Sequence, residues 1–149
     1  MSTMTGGCQC GAVRYRLGAQ PKEVTICHCR MCQKASGNYF QALAAVTREE
    51  FSWTKGRPGA FRSSELVERD FCRDCGTPLT YRPLDGSDIW ITVGSLDHPA
   101  KLQPLRQYGI ESQVLDLNAL AALPGTSTEQ ANEPERLAGL RSRQHPDHD

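Results

Sequence analysis

The chain contains seven cysteines, and their spacing divides them into three groups. The central group is a C-x-C-x-x-C cluster, and one pair lies on each side of it. In chain order the groups are Cys8 and Cys10, then Cys27, Cys29 and Cys32, then Cys72 and Cys75. An odd number leaves one cysteine over in any all-disulfide arrangement, whereas thiolates at these spacings are typical zinc ligands. We therefore predict zinc binding, with disulfides or an iron–sulfur centre as less favoured alternatives.

The two outer pairs are spaced as halves of one four-thiolate site, because cysteines separated by a few residues can both reach a zinc ion at about 2.3 Å. Joining them leaves the central three thiols with an open fourth position, as in catalytic zinc sites. Joining one outer pair to the central cluster would instead leave sets of five and two ligands, which is chemically less satisfactory. We therefore predict two zinc ions per chain. The structural ion is predicted on Cys8, Cys10, Cys72 and Cys75, and the catalytic ion on Cys27, Cys29 and Cys32.

The charge of the central cluster limits its chemistry. Three thiolates around Zn²⁺ give a net charge of −1, so this metal is a weaker Lewis acid than one held by neutral imidazoles. An electron-rich zinc favours a soft fourth ligand, such as a substrate thiol held as thiolate at neutral pH. Activation of water for hydrolysis is less favoured. The cluster therefore predicts a reaction of a thiol.

Polar residues near the cysteines and in one later loop are further candidates. His28 lies between two predicted ligands, so we predict a structural or supporting role for its ring rather than direct coordination. Arg30 and Lys34 flank the anionic centre and are candidates for holding a substrate carboxylate, although solvated surface charges have the same pattern. Asp97 and His98 are acid–base candidates, but a plain loop role is favoured for both. His98 is also the candidate fourth ligand that would make the central zinc purely structural.

Alternating apolar residues predict the strands that position these side chains. Val13, Tyr15 and Leu17 alternate with Arg14 and Arg16, which predicts a strand with its arginines on the exposed face. Further strands are predicted at 23–26, 39–46, 51–54, 61–71 (one or two edge strands) and 89–93, with a helical turn at 33–36 and a helix at 114–123. Residues 42–45 taken alone suit a helix equally well. The aromatic side chains assigned to the core or to sheet faces are Trp53, Trp90 and Tyr108.

Length and composition set the broad class of the protein. A chain of 149 residues is long enough to bury one modest core. Residues 1–124 are predicted to form this domain. Residues 125–149 contain few large apolar side chains and are predicted to be a disordered tail, with a short helix at 134–143 as the one candidate element. The predicted fold class is mainly β, a small zinc-stabilised domain of short strands and short helical turns.

Charge and hydropathy argue against several functions. The 17 basic residues are scattered and matched by 17 acidic ones, so nucleic-acid binding is not favoured. No apolar run is long enough for a membrane helix, and the N-terminal residues lack the pattern of a secretory signal. These features predict a cytoplasmic protein, and the reducing cytosol favours metal binding over disulfides.

The cysteine-bearing segments resemble those of the glutathione-dependent formaldehyde-activating enzyme (GFA) family, whose domain is shared with centromere protein V. The resemblance covers roughly residues 5–124, and it depends on the combination of four blocks rather than on any single one. These blocks are residues 6–15, 27–34 with Gly37, 71–76 and 94–97, which read GGCQCGAVRY, CHCRMCQK, FCRDCG and GSLD.

The resemblance implies a β-tent fold with a structural zinc on the four outer cysteines and a catalytic zinc on the central three. It also implies a carbon–sulfur lyase that, in the synthetic direction, adds glutathione to formaldehyde to give S-(hydroxymethyl)glutathione. The implied partners are a small thiol such as glutathione and a small aldehyde. Two departures concern the substrate pocket: Gln107 stands where members typically carry a histidine, and a Pro-Trp near the domain end is missing. The relation to centromere protein V leaves an alternative, a non-enzymatic zinc module that binds a macromolecule.

Overall fold

Short strands dominate the fold. In the computed structural model, residues 3–148 are described. Within this range the ten strands are β1 (Met4–Gly7), β2 (Arg14–Leu17), β3 (Glu23–Cys27), β4 (Gln41–Thr47), β5 (Phe51–Lys55), β6 (Gly59–Ser64), β7 (Val67–Phe71), β8 (Pro78–Pro83), β9 (Asp88–Thr92) and β10 (Arg106–Tyr108). The α-helices are α1 (Arg30–Ser36), α2 (Leu117–Ala121) and α3 (Pro134–Gly139), and 3₁₀ turns lie at Arg48–Glu50, Val93–Ser95, Pro99–Lys101 and Ile110–Ser112. The predicted mainly β fold class is confirmed.

The strands form two sheets. A three-stranded antiparallel sheet has the order β1-β2-β5, and a seven-stranded sheet has the order β10-β3-β4-β9-β8-β7-β6. Neighbours in the larger sheet run antiparallel, except that β10 runs parallel to β3. Because side chains alternate along a strand, the larger sheet packs one face against the smaller sheet and the other against α1.

The main core lies between the two sheets. It combines buried side chains of the smaller sheet, such as Tyr15, with buried side chains of the larger one, such as Leu79 and Ile91. Burying an aliphatic side chain of this size contributes about 1.5–3 kcal/mol. A second, smaller cluster contains Leu43 and lies on the opposite face of the larger sheet, together with the central cysteine segment. The central cysteines therefore sit on a sheet face and not in the main core.

Most predicted strands are present, and the differences have identifiable causes. The segment 61–71 contributes to two strands, of which β6 lies at the sheet edge as predicted and β7 is paired on both sides. Strand β10 was not predicted, because Arg-Gln-Tyr shows no apolar alternation. Tyr108 on this strand is 67% exposed and is therefore not a core residue, whereas Trp53 and Trp90 are half-buried as sheet-face residues.

The segment after residue 124 contains α3 and is almost entirely exposed. It returns to the domain at His145, whose backbone N–H donates to the carbonyl of Gln9 at 2.7 Å. The predicted disorder of residues 125–149 and the domain boundary stay predictions, and Asp149 lies outside the described residues. None of the described helices is long and apolar enough to cross a membrane.

A buried ion pair ties β2 to the loop after β9. Arg14 donates from Nη1 and Nη2 to the two carboxylate oxygens of Asp97 at 2.9 and 2.6 Å. Burial raises the pKa of Asp97, but hydrogen bonds from Arg14 and Thr5 outweigh it and lower the pKa below its usual value. The prediction that Arg14 lies on an exposed face is therefore wrong, while Asp97 has the loop role that the sequence favoured.

We expect Asp97→Asn to lower the free energy of unfolding by about 3–5 kcal/mol, because it removes one charge of a buried ion pair. Asp88→Asn is the matched control: Asp88 pairs with Lys22 at 2.7 Å on the surface, where such a pair contributes about 0–1 kcal/mol. Urea unfolding of both variants measures the difference. If the two variants lose equal free energy of unfolding, the buried pair does not contribute more than the surface pair.

The same pair predicts a loss of stability in acid. The pKa of Asp97 is lower in the folded state, so its contribution is complete above the unfolded value of about 3.9. It is lost as the pH falls through the lower, folded pKa. The free energies of unfolding of the wild type and Asp97→Asn, measured with urea, should therefore converge as the pH decreases below this value.

Candidate metal centre

The two outer cysteine pairs meet to form one four-thiol cluster. Cys8 and Cys10 lie in the tight loop after β1, and Cys72 and Cys75 lie in the turn after β7. The four Sγ atoms lie within 4.8 Å of one another, with 3.5 Å between Cys8 and Cys10 and 3.8 Å between Cys10 and Cys72. Tetrahedral zinc with bonds of about 2.3 Å places its ligands about 3.8 Å apart. The cluster therefore fits the predicted structural zinc.

Two glycines allow the backbone to wrap around these thiols. Gly11 and Gly76 have φ angles of 74° and 78°, a left-handed conformation that is costly for residues with a Cβ. In the first loop, the N–H of Val13 donates to Cys8 Sγ at 3.3 Å. In the second, the N–H of Gly76 donates to the carbonyl of Cys72 at 2.9 Å. The two segments thus form two knuckle-like turns, each of which directs its sulfur atoms toward the shared four-thiol cluster.

The second turn also favours an ionised thiol. The hydroxyl of Thr77 lies 3.2 Å from Cys75 Sγ. Burial raises the pKa of Cys75, but hydrogen bonds from Thr77 and Cys10 lower it to about 6. Because zinc binds the thiolate form of cysteine, this environment favours metal binding at neutral pH.

The central cysteines form a second cluster with three members. Cys27 ends β3, Cys29 immediately precedes α1, and Cys32 lies in its first turn, so residues 29 and 32 share one side of the helix. Their three Sγ atoms lie within 4.8 Å of one another, and no other His, Cys, Asp or Glu of residues 3–148 joins the group. His98 is exposed in a different loop, so it is not placed as a fourth ligand. This donor set fits a zinc ion with one position left for another ligand.

Two of the three thiols differ in their tendency to ionise. The hydrogen bond between Cys27 and Cys32 raises the pKa of Cys27 and lowers that of Cys32 to about 5. Burial opposes the lower value at Cys32, and the guanidinium of Arg69 supports it. This environment therefore favours the thiolate form of Cys32, which is the form that binds a metal ion, and disfavours ionisation of Cys27.

The edge strand β10 holds the cysteine segment in place. The N–H of His28 donates to the carbonyl of Tyr108 at 2.8 Å, and its buried ring donates from Nε2 to Gln107 Oε1 at 2.7 Å. Gly109 has a φ of 68°, and a Cβ there would lie 2.9 Å from the backbone nitrogen of Cys29. This geometry agrees with the supporting role predicted for His28. Gln107, one of the departures from the family pattern, is its hydrogen-bond partner.

Three residues of the larger sheet that were not predicted for this site lie on the same side of the sheet. Tyr81 and Trp90 pack against the cluster that Cys27 and Cys32 form with Leu43, and Arg69 places Nη2 3.3 Å from Cys32 Sγ. They are cross-strand neighbours, since Arg69 faces Tyr81 and Tyr81 faces Trp90 in the strand registers. The sequence pattern that could have identified Arg69 is its position two residues from each of the apolar Val67 and Phe71, which places all three on the same face of β7.

Arg30 and Lys34, the predicted substrate-binding residues, line an open groove of about 740 Å³ beside α1. Residues four apart share a helix face, and Cys32, two residues from each, points to the other side. A ligand that contacted both the groove and the cysteines would have to extend around the helix. The carboxylate-binding role of these two residues stays a prediction. The other residues of the groove are Gln33, Gly37, Asn38, Tyr39, Ser112 and Val114.

Comparisons with known proteins agree with the geometry. The family described as "Glutathione-dependent formaldehyde-activating enzyme" matches residues 3–111. An uncharacterized lyase of Schizosaccharomyces pombe is 27% identical over 88 residues, which are 59% of this chain and 64% of that protein. A crystal structure of a Rhodobacter sphaeroides protein matches with a TM-score of 0.58 at 18% identity, over 70% of this chain and 99% of the other, and supports the fold alone.

Proposed function

The chain belongs to the glutathione-dependent formaldehyde-activating enzyme family, and we propose that it is a zinc-dependent carbon–sulfur lyase acting on a small thiol and a small aldehyde. Glutathione and formaldehyde are the substrates that the family description names. The central three-cysteine cluster supports the proposal, since it provides three ligands and no fourth among the described residues. Zinc bound there would lower the pKa of a substrate thiol and supply a thiolate at neutral pH.

The proposed reaction is an addition. A bond forms between the thiol sulfur and the aldehyde carbon, the S–H bond breaks, and the proton ends on the former carbonyl oxygen. With glutathione and formaldehyde the product is S-(hydroxymethyl)glutathione. The reverse reaction breaks the C–S bond, which is the direction in which a lyase is classified.

The residues around the cluster define the side from which a substrate approaches. Cys27 and Cys32 are buried, and Tyr81 and Trp90 pack against the cluster that these two cysteines form with Leu43. Cys29 is only half-buried, so the accessible side lies next to it. The burial of Cys27 and Cys32 keeps water away from their side of the cluster, which strengthens electrostatic interactions at their sulfur atoms. We infer that the thiol enters beside Cys29.

The test is the rate of exchange between free thiol and hemithioacetal, measured by NMR with glutathione and formaldehyde at equilibrium. Protein that carries both zinc ions is expected to accelerate this exchange above the spontaneous rate. If the fully zinc-loaded protein accelerates no member of a panel of thiols and aldehydes, the proposed function is wrong.

We expect Arg30→Gln and Lys34→Gln each to raise KM for glutathione by about 10-fold, because a charge-assisted hydrogen bond contributes about 1.5–3 kcal/mol. The same change at Arg57, an exposed loop cation, is the control and should leave KM unchanged. A loss that is equal for glutathione and for a neutral thiol such as 2-mercaptoethanol would show that the two cations do not bind a carboxylate.

The macromolecule-binding alternative has less support, because several basic side chains already bind acidic ones on this chain. The ion pairs are Arg14–Asp97, Lys22–Asp88, Arg82–Glu68, Arg82–Asp70 and Arg106–Glu23. A titration with DNA and RNA at low salt tests the alternative, since phosphate contacts give a steep salt dependence.

A further inference from the structure

Arg69 is a buried cation that lacks a carboxylate partner. Only 7% of the residue is exposed, and no Asp or Glu of residues 3–148 lies within ion-pair distance of its guanidinium. The neighbouring Asp70 points to the other face of β7, where it accepts hydrogen bonds from Thr80 and Arg82. A buried charge is costly unless it is paired. Arg69 therefore needs an anion from another source.

The contacts of the guanidinium identify that source. Nη2 donates to Cys32 Sγ at 3.3 Å, and Nη1 donates to Gln41 Oε1 at 2.9 Å. The guanidinium carbon lies 4.8 Å from the centre of the Tyr81 ring, in a cation–π arrangement. The amide and the ring hold the planar group so that one edge faces the sulfur. The anion that Arg69 contacts is thus a predicted metal ligand.

We propose that Arg69 is the counter-ion of the Cys27, Cys29 and Cys32 metal site and a positioning residue for Cys32. Three thiolates around a divalent ion carry one net negative charge, which the guanidinium offsets. The N–H···S hydrogen bond also holds the Cys32 side chain in the orientation that a metal needs. This inference rests on the metal site of the proposed function, but not on the identity of its substrates.

The four-thiolate site provides an internal contrast. Its sulfur atoms accept hydrogen bonds from a backbone N–H and from the Thr77 hydroxyl, and no described Arg or Lys donates to them. It lies where Cys10 is exposed to solvent, so water can screen its charge. The three-thiolate site is more buried and is the one that contains the guanidinium. A loss of Arg69 should therefore affect one site and spare the other.

The test compares metal affinity at the two sites in wild type, Arg69→Met and Arg69→Lys. Zinc loss to a chelator gives the affinities, and cobalt(II) absorption reports the ligand geometry at each site. We expect Arg69→Met to lower affinity at the three-cysteine site by about 10- to 100-fold, the range seen when an outer-shell partner of a ligand is removed. The four-cysteine site should be unchanged. Lysine keeps the charge but not the planar fork. The zinc affinity of Arg69→Lys at the three-cysteine site should therefore lie between those of the wild type and Arg69→Met.

Arg82→Met is the matched control. Arg82 lies on the neighbouring strand β8 and pairs with Glu68 and Asp70, so its loss should leave both metal affinities unchanged. If Arg69→Met fails to fold, Arg69→Lys carries the comparison, and a several-fold loss confined to the three-cysteine site is then expected.

Equal affinities of the wild type and the Arg69 variants at the three-cysteine site would overturn the inference. Weakening of both sites together would overturn it as well, because that result indicates a general loss of structure. The expected affinity loss in a protein that nonetheless fails to accelerate any thiol–aldehyde exchange supports the inference and contradicts the proposed function. The two claims therefore fail separately.

Discussion

Cys29→Ser is expected to abolish the accelerated exchange while the domain stays folded. Cys29 is the least buried of the three central cysteines, and it lies outside the main core between the sheets. Serine has nearly the same size but is a poor zinc ligand, so the site keeps two thiols. We expect the zinc content to fall from two ions per chain to one. Activity should fall by at least about 100-fold, the upper effect of losing an outer-shell partner.

Metal analysis, circular dichroism and the exchange assay together measure this result. Ala35→Ser is the matched control, because it adds a hydroxyl to an exposed position of the same helix without removing a ligand. It should keep both zinc ions and full activity. Cys29→Ser protein that unfolds globally would instead support a purely structural role for the central metal.

Cys72→Ser is expected to prevent stable folding. Cys72 is almost completely buried and belongs to the main core cluster, together with Cys8 from the other half-site. A structural zinc in zinc-finger peptides contributes an apparent 10–16 kcal/mol, roughly, whereas a whole domain is stable by only about 5–15 kcal/mol. Losing one of four ligands, and with it the link between the β1 loop and the β7 turn, should therefore exceed the available stability.

Thermal unfolding followed by circular dichroism measures this effect, with strong chelation of the wild type as the parallel treatment. Both should remove the cooperative transition. Cys29→Ser serves as the control, since it also replaces a predicted zinc ligand but in the other cluster. A cooperative Cys72→Ser transition near the wild-type Tm would show that the four-cysteine site is not needed for the fold.

The half-sites could be predicted from the sequence because the cysteines of each one lie close together in the chain. A pair such as Cys72 and Cys75, followed by Gly76, already indicates a turn that brings two sulfur atoms to one cluster. Likewise, the alternation in residues 89–93 reflects a sheet with different environments on its two faces. In both cases the physical cause lies within a few residues of the chain.

The roles of the two buried arginines could not be predicted in this way. Arg14 and Arg69 both lie in strands, where a charged side chain indicates an exposed face. Their burial depends on partners distant in the sequence, Asp97 for the first and Cys32 for the second. Whether a charged side chain of a strand is buried thus depends on a partner that the alternating pattern does not reveal. Arg69 would be recognisable only by its position in the apolar phase of its strand.

The pairing of β10 was unpredictable for a similar reason. The strand has three residues, all exposed, and it pairs in parallel with β3 after a long connection. Its contribution is made by backbone groups and by the Gln107 amide, which supports His28. Neither contribution leaves a hydrophobic pattern. The role of Gln107 therefore follows from its hydrogen bond to His28 and not from its neighbours in the sequence.

The count of sulfur ligands per zinc ion, measured by X-ray absorption with and without glutathione, tests the central claim most directly. We predict two zinc ions per chain, one with four cysteine ligands and one with three. The mean sulfur count should therefore lie between three and four for the protein alone and rise to four when glutathione saturates it. A mean of four before glutathione is added, or a count that glutathione leaves unchanged, would contradict an open thiol-binding site.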